Sequence, residues 1–256
     1  MKITLLPSAV STGAAVPSQY LTTYLVNDTI AIDAGALGFH LTPQDQAAVR
    51  HVFLSHTHVD HVASLPIFLE NVAGAHPTPV IVYASEAVQQ SLRLDLFNGR
   101  VWPNFLELTH EGGRFVNLAT IEHGACVEVD GVRVTPIAVD HAVPTLGFVL
   151  EDAASAVVIT SDTGPTEAIW TAANRTPNLK AVFLEATFPA AEAALAKLTK
   201  HLTTAEFVHE MRKLQGPATF LAMHLRARLR EQVTNELLAY KLPNLAIAQF
   251  GKVYEF

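Results

Sequence analysis

Cysteine is nearly absent from this chain. Cys126 is the single one among 256 residues, so no internal disulfide can form, which suits a reducing compartment. Basic residues are also scarce: Lys plus Arg is 17 against 24 for Asp plus Glu, a net charge of −7. That balance disfavours a polyanionic partner, because phosphate backbones are held mainly by clustered lysines and arginines, and no nucleic acid is expected. No stretch approaches the ~18 apolar residues of a membrane span. Lys2 is followed by Ile3-Thr4-Leu5-Leu6, and Pro7 then breaks the run. This reads as a first strand rather than a secretory leader, so a cytoplasmic protein without membrane attachment is expected. Repeats, low-complexity tracts and flexible linkers are missing too. The length allows one large domain or two small ones, and without a linker residues 1–256 are expected to form a single domain.

What is present is a compact composition, with 50% of residues hydrophobic and only 16% charged. Strands are expected at 2–6, 21–33, 51–54, 80–83, 146–150, 156–160, 180–185, 217–222, 245–249 and 252–255. Asn27-Asp28 and Asp130-Gly131 read as hairpin turns, the second within 127–139. Helices are expected at 61–73, 165–174, 189–197, 203–214 and 228–240. Another short one starts at Pro43 behind Thr42, and a further stretch follows Ser85. The segment 98–114 reads as a loop-rich insertion. Strands come first and then alternate with helices, and the theme occurs twice. An α/β (α+β) chain of this order is solved economically by two face-to-face sheets with helices outside, although a doubly wound sheet also fits the alternation.

The chain is organised around Val52-Phe53-Leu54-Ser55-His56-Thr57-His58-Val59-Asp60-His61. A buried-strand pattern ends at Ser55, and His56, His58, Asp60 and His61 follow at once. Alternate residues of an extended segment point the same way, so His56 and His58 can grip one ion while Asp60 and His61 serve a second. Imidazole and carboxylate suit zinc first, with manganese and iron as alternatives. Three more candidates each follow an apolar strand: His141 after 132–140, Asp162 after 156–161 and His224 after 218–223. Singly, each of these is a core or surface residue; their shared position at strand ends makes them ligands.

His56-Thr57-His58-Val59-Asp60-His61, taken with His141, Asp162 and His224, resembles the metallo-β-lactamase superfamily over essentially the whole chain, from Asp33-Ala34-Gly35 onward. The resemblance implies an αββα sandwich with a dinuclear metal centre. His56, His58 and His141 would hold one ion, Asp60, His61 and His224 the other, and Asp162 would bridge them. Phe97-Asn98-Gly99-Arg100-Val101-Trp102-Pro103-Asn104-Phe105 and Ser161-Asp162-Thr163-Gly164-Pro165 are similar to segments of class II cyclic-nucleotide phosphodiesterases. So is Leu184-Glu185-Ala186-Thr187-Phe188-Pro189 with Lys200-His201-Leu202-Thr203. Lys200 stands where a glycine is common, and Leu225-Arg226-Ala227 replaces the usual Ile-Lys-Pro.

The resemblance implies hydrolysis of 3′,5′-cyclic nucleotides to 5′-monophosphates by a hydroxide shared between two divalent ions. The partner is then a small cyclic nucleotide, and a homodimer is the assembly considered. Asp60 counts among the catalytic residues as well as the ligands. His201 is the general acid for the departing 3′ oxygen, with Thr203 helping to orient it; alternatively His201 is a surface residue opening a helix that Thr203 caps. Glu185 is either the partner of an imidazole or a strand-end charge. Trp102 and Phe105 either stack on a purine or pack their loop. Cys126 reads as core, and His40, His51, His76, His110, His123 and His209 as solvent or loop residues. Three other functions share the ligand set: a tRNA 3′-processing nuclease, a thioester or lactone hydrolase, and a cyclic-nucleotide sensor without turnover.

Overall fold

The computed structural model describes residues 1–8, 21–111 and 113–256. In chain order the strands are β1 (Lys2–Leu5), β2 (Tyr24–Val26), β3 (Ile30–Ile32), β4 (His51–Phe53) and β5 (Val80–Ala84). A small hairpin, β6 (Thr109–His110) and β7 (Gly113–Arg114), precedes β8 (Val116–Thr120), β9 (Val127–Val129), β10 (Val132–Val139) and β11 (Thr145–Glu151). Then come β12 (Ala156–Ile159), β13 (Leu179–Glu185), β14 (Thr219–Met223), β15 (Leu245–Ile247) and β16 (Val253–Glu255). The helices are α1 (Pro43–Gln46), α2 (Val59–Val62), α3 (Leu65–Asn71), α4 (Glu86–Ser91), α5 (Ala168–Ala173), α6 (Ala193–Thr199), α7 (Thr204–Met211) and α8 (Arg230–Ala239).

Among the described residues two seven-stranded sheets form, ordered β16-β1-β2-β3-β4-β5-β8 and β15-β14-β13-β12-β11-β10-β9. Each is antiparallel on one side and parallel on the other. β16 to β3 pair antiparallel and β3 to β8 parallel, while β9 to β12 pair antiparallel and β12 to β15 parallel. The antiparallel parts are joined by tight turns. Asn27 and Asp28 both take left-handed backbone, as do Asp130 and Gly131, which matches the turn twist that two-residue hairpins need.

Three apolar clusters fill the three spaces of a four-layer stack. Val52 on β4 points toward Leu65 and Phe68 of α3, whereas its neighbour Phe53 points into the space between the sheets. There it meets Tyr83 in a stacked pair and Phe148 of the other sheet edge-on. On the far side, Trp170, Phe207 and Val233 of α5, α7 and α8 cover Phe220 and Val182 of the second sheet. Helices outside two facing sheets are the αββα sandwich that the element order called for.

Several sequence expectations need correction. The helix expected over 61–73 is two, α2 and α3, because Pro66 sits in the first turn of α3, where its missing N–H costs nothing. Strand β8 was not foreseen; Val116-Asn117-Leu118-Ala119-Thr120 is a half-buried edge with little alternation, paired to β5. The insertion 98–114 does hold the small β6–β7 hairpin, and its residue 112 lies outside the described residues. Cys126 is not core: it is exposed, just before β9 begins. Thr42 caps α1 as expected, in a reciprocal capping box with Asp45. Among the described residues no helix is long and apolar enough to cross a membrane.

Candidate metal centre

Strand ends build the site. β4 delivers His56 and His58 in extended backbone, and the chain then turns into α2, which carries Asp60 and His61. The turn is tight enough that a Cβ on Gly35 would lie 2.0 Å from the Asp60 carbonyl, so only glycine fits there. From the other sheet, His141 follows β10, Asp162 follows β12 and His224 follows β14. His224 holds left-handed backbone, which turns its side chain back toward the site. The Leu146 N–H donates to the Ser55 carbonyl at 3.1 Å and ties the two sheets together at this edge.

The seven expected donors converge in two groups, each of which could hold a metal ion: His56, His58, His141 and Asp162; and Asp60, His61, Asp162 and His224; Glu185, His201 and His224 form a third such group beside them. In the first, His58 Nδ1 lies 3.1 Å from His56 Nε2 and 3.2 Å from His141 Nε2. Nitrogens bound tetrahedrally to zinc are separated by roughly 3.3–3.4 Å, given the usual Zn–N length, so this spacing fits. In the second, His224 Nε2 is 3.2 Å from Asp60 Oδ2 and 3.3 Å from Asp162 Oδ2, and His61 Nε2 is 3.3 Å from Asp162 Oδ2. His61 Nε2 and Asp162 Oδ1 are buried and make no hydrogen bond, as lone pairs reserved for an ion would be.

Charge states agree. Burial pushes the His56, His58 and His141 imidazoles down, keeping them neutral, which ligation requires. Burial would raise the Asp162 carboxyl, but the surrounding His224 and His61 hold it well below the ordinary carboxylate range. Burial would likewise lower His61, yet Asp162 and Asp33 outweigh it and hold the ring well above its usual value. Two carboxylates that stabilise a positive charge at this point are also what a cation needs.

Four of the five candidate ligand rings, those of His56, His61, His141 and His224, are aimed by a partner on the far nitrogen. His61 Nδ1–H donates to Asp33 Oδ2 at 2.7 Å. The Ser55 hydroxyl donates to the same carboxylate at 2.8 Å and accepts from His56 Nδ1 at 2.9 Å. His141 Nδ1–H donates to the Lys200 carbonyl at 2.9 Å. The Thr187 hydroxyl donates to Glu185 at 2.5 Å and accepts from His224 Nδ1 at 3.0 Å. Glu185, fully buried, also takes His201 Nδ1–H at 2.8 Å, the Thr163 N–H at 2.7 Å and the Leu202 N–H at 3.1 Å.

His201 is therefore no surface residue: it is 4% exposed, with its ring centroid 4.8 Å from that of His141 and 5.4 Å from that of His224. Burial would lower it, but the Glu185 charge and hydrogen bond prevail and raise it. Thr203 does not orient it; the Thr203 hydroxyl is committed to a capping box with Glu206 at the start of α7. Trp102 and Phe105 are packing residues. Phe105 is stacked on Phe115 and Phe97, and Trp102 meets Phe105 edge-on. Asp33, Ser55 and Thr187 were not singled out from the sequence. An acidic residue closing a strand before a glycine, as in Asp33-Ala34-Gly35, is the signal that was available.

Beside the ligands lies a cavity of about 300 Å³ lined by Asp60, His224 and the residues that follow His224. A larger one, about 740 Å³, opens at the opposite ends of β13 and β14, with Lys180 its sole charged lining residue. No histidine or carboxylate lines it among the described residues, whereas the candidate metal ligands Asp60 and His224 open onto the smaller cavity.

Two imidazole and carboxylate cages at the C-terminal edge of an αββα sandwich define the class of metallo-β-lactamase-fold proteins. The chain belongs to the β-lactamase superfamily, whose domain model matches residues 27–225. No protein of curated function matches it in sequence. Among solved structures it is similar to yeast PDE1, at TM-score 0.76 and 16% identity over 98% of each chain. It is also similar to the metallo-β-lactamase fold protein YhfI from Bacillus subtilis (TM-score 0.74, 16% identity, 99% of this chain and 98% of that one). A third is the short form of human tRNase Z, ELAC1 (TM-score 0.66, 15% identity, 100% and 99%). At such identities the likeness carries the fold alone.

Proposed function

We propose that this protein is a metal-dependent phosphodiesterase that opens 3′,5′-cyclic nucleotides to 5′-monophosphates. The observation that carries the reading is His201, buried on Glu185 between the rings of two ligands. Bound divalent ions, zinc first, would acidify the attacking water and offset negative charge on phosphorus. The chain's own part is proton transfer. With Nδ1–H given to Glu185, the protonated ring has its Nε2–H free, and this proton goes to the 3′ oxygen as the P–O3′ bond breaks and water oxygen bonds phosphorus. The neutral ring keeps its Nδ1–H on Glu185 and regains a proton from solvent. A poor alkoxide leaving group needs this acid. A thioester, whose thiolate departs unaided, does not, and the acidic surface disfavours a tRNA.

The test is turnover of cyclic AMP, bis(p-nitrophenyl) phosphate, a tRNA precursor and a lactone by protein of measured metal content. Cyclic AMP should yield 5′-AMP, and His201→Ala should slow it by about 10²–10⁴-fold, the usual worth of a positioned acid. Undiminished turnover in that variant removes His201 from the chemistry. Preference for the lactone or the tRNA overturns the substrate class, and binding of cyclic AMP without its consumption makes the protein a sensor.

A further inference from the structure

The cavity beside the ligands is shaped for charge rather than for a base. Its walls carry Asp60 and His224, then Arg226 and Arg228, with only Leu225 and Ala227 as apolar side chains. No Phe, Tyr or Trp is among the described residues that line it, and Trp102 and Phe105 are spent on packing. The Arg226 guanidinium rests 5.3 Å above the Phe188 ring, whose edge meets His201 at 5.9 Å between centroids. A cation over an aromatic face is attracted by the ring quadrupole, which holds the guanidinium beside the cavity without using up its N–H donors. Among the described residues no carboxylate forms an ion pair with Arg226, and Arg228 has only Glu192, at 3.6 Å. Asp60, the one acid in the cavity wall, is turned toward the ligand group. Among the described residues Arg226 therefore has no acidic partner and Arg228 only a long contact with Glu192, beside the place where the scissile phosphate would sit.

We infer that Arg226 and Arg228 form a subsite for a second phosphate of the substrate. The inference rests on the phosphodiesterase reading and narrows it: preferred substrates carry another phosphate near the one being cleaved, as a cyclic dinucleotide does. A cyclic mononucleotide has a single phosphate, which the ligand groups and His201 already engage. Arginine's planar fork matches phosphate oxygens in pairs, and such charge-assisted contacts are the strong ones. The reaction itself is unaltered: water adds across one P–O3′ bond, with its oxygen to phosphorus and a proton to O3′.

Kinetics on cyclic di-AMP and on cyclic AMP, with Arg226→Ala, Arg228→Ala and the double variant, test the subsite. Both side chains are exposed, and Arg226→Gln keeps the stem over Phe188 should truncation disturb it. The wild type should favour cyclic di-AMP. The double variant should raise KM for it by about 10–100-fold, as expected for lost charged hydrogen bonds, with a loss on cyclic AMP at least tenfold smaller. Equal losses on both substrates, or no loss, overturn the subsite. Calorimetric binding of pyrophosphate against inorganic phosphate to the metal-loaded protein gives a readout free of turnover. If neither nucleotide is consumed, the phosphodiesterase reading fails. The subsite then stands on a pyrophosphate preference that the double variant abolishes, and falls if that preference persists.

Discussion

Asp33, after β3, and Glu185, at the end of β13, hold comparable places in the two sheets. Both are buried, at 1% and 0% exposure, and each grips one imidazole directly and a second through a hydroxyl. Asp33 takes His61 and, through Ser55, His56; Glu185 takes His201 and, through Thr187, His224. The arrangement is the same, but what hangs on it differs. Both rings tied to Asp33 are candidate ligands, one from each group. Of those tied to Glu185, one is a candidate ligand and the other is the proposed acid. The N-terminal hub thus serves two candidate ligands, and the C-terminal hub joins one candidate ligand to the proposed acid.

The largest effect should come from breaking the first hub. Asp33→Ala leaves the Ser55 N–H and hydroxyl and His61 Nδ1 without their acceptor in a dry interior. Metal affinity should fall in both groups, by about 10–100-fold each, the usual cost of losing a ligand's orienting partner. Titration of zinc into apo-protein should show both binding steps weakened. If only the His61 step moves, the serine link to His56 carries no energy. Ions that bind the folded state alone also stabilise it, by about 4 kcal/mol at a thousandfold excess over Kd, so chelation should lower the melting temperature of the wild type more than that of the variant.

Glu185→Gln should act differently. Metal content should fall less, since only His224 depends on Glu185 and only through Thr187, but the pH profile should move. The proposed acid works protonated, so activity is lost as pH rises through the His201 pKa, which Glu185 raises from 6.5 against the effect of burial. Removing the charge lowers that pKa and brings the alkaline fall-off to lower pH. The same raised pKa contributes stability that is fully present below 6.5 and lost as pH climbs through the folded value. The variant's stability deficit should accordingly shrink on the alkaline side. An unmoved alkaline limb would separate Glu185 from the acid. Thr187→Val, which cuts the link to His224 alone, should be milder: a weaker second ion, about tenfold at most, with the pH profile in place.

The candidate ligands that converge were readable because chemistry and spacing coincide in them: four donors within six residues, then three more at the ends of apolar strands. The hubs were not, because what matters about Asp33, Ser55 and Thr187 is which ring lies beside each one, and only the packing of two sheets decides that. Glu185 shows the boundary. Its strand-end position allowed a partner for an imidazole, but nothing local named His201. Thr203 shows the opposite error, since a threonine two residues from a histidine invites an orienting role, while a glutamate three residues further on turns it into a helix cap. Secondary structure failed where the local pattern was weak, at the β8 edge and at Cys126.

His141 depends on neither hub, and this makes it the place where the comparison can be sharpened most finely. Its Nδ1–H is held by the backbone carbonyl of Lys200, so the side chain at 200 is free to vary without disturbing the ligand. Lys200 ends α6 in left-handed backbone, a conformation that costs a non-glycine residue about 1 kcal/mol. It recovers part of this through an exposed ion pair with Asp140 at 2.8 Å, a contact worth about 0–1 kcal/mol. Lys200→Gly removes both strain and pair, while greater freedom in the unfolded chain opposes the gain. The melting temperature should therefore shift by less than the equivalent of ~1 kcal/mol, upward if the ion pair is weak. Zinc affinity of the His56, His58 and His141 group should stay within about twofold, because the carbonyl that aims His141 is kept. A marked loss of affinity would show that the Lys200–Asp140 pair braces the strand end that carries His141, and that this ligand too relies on a charged side chain.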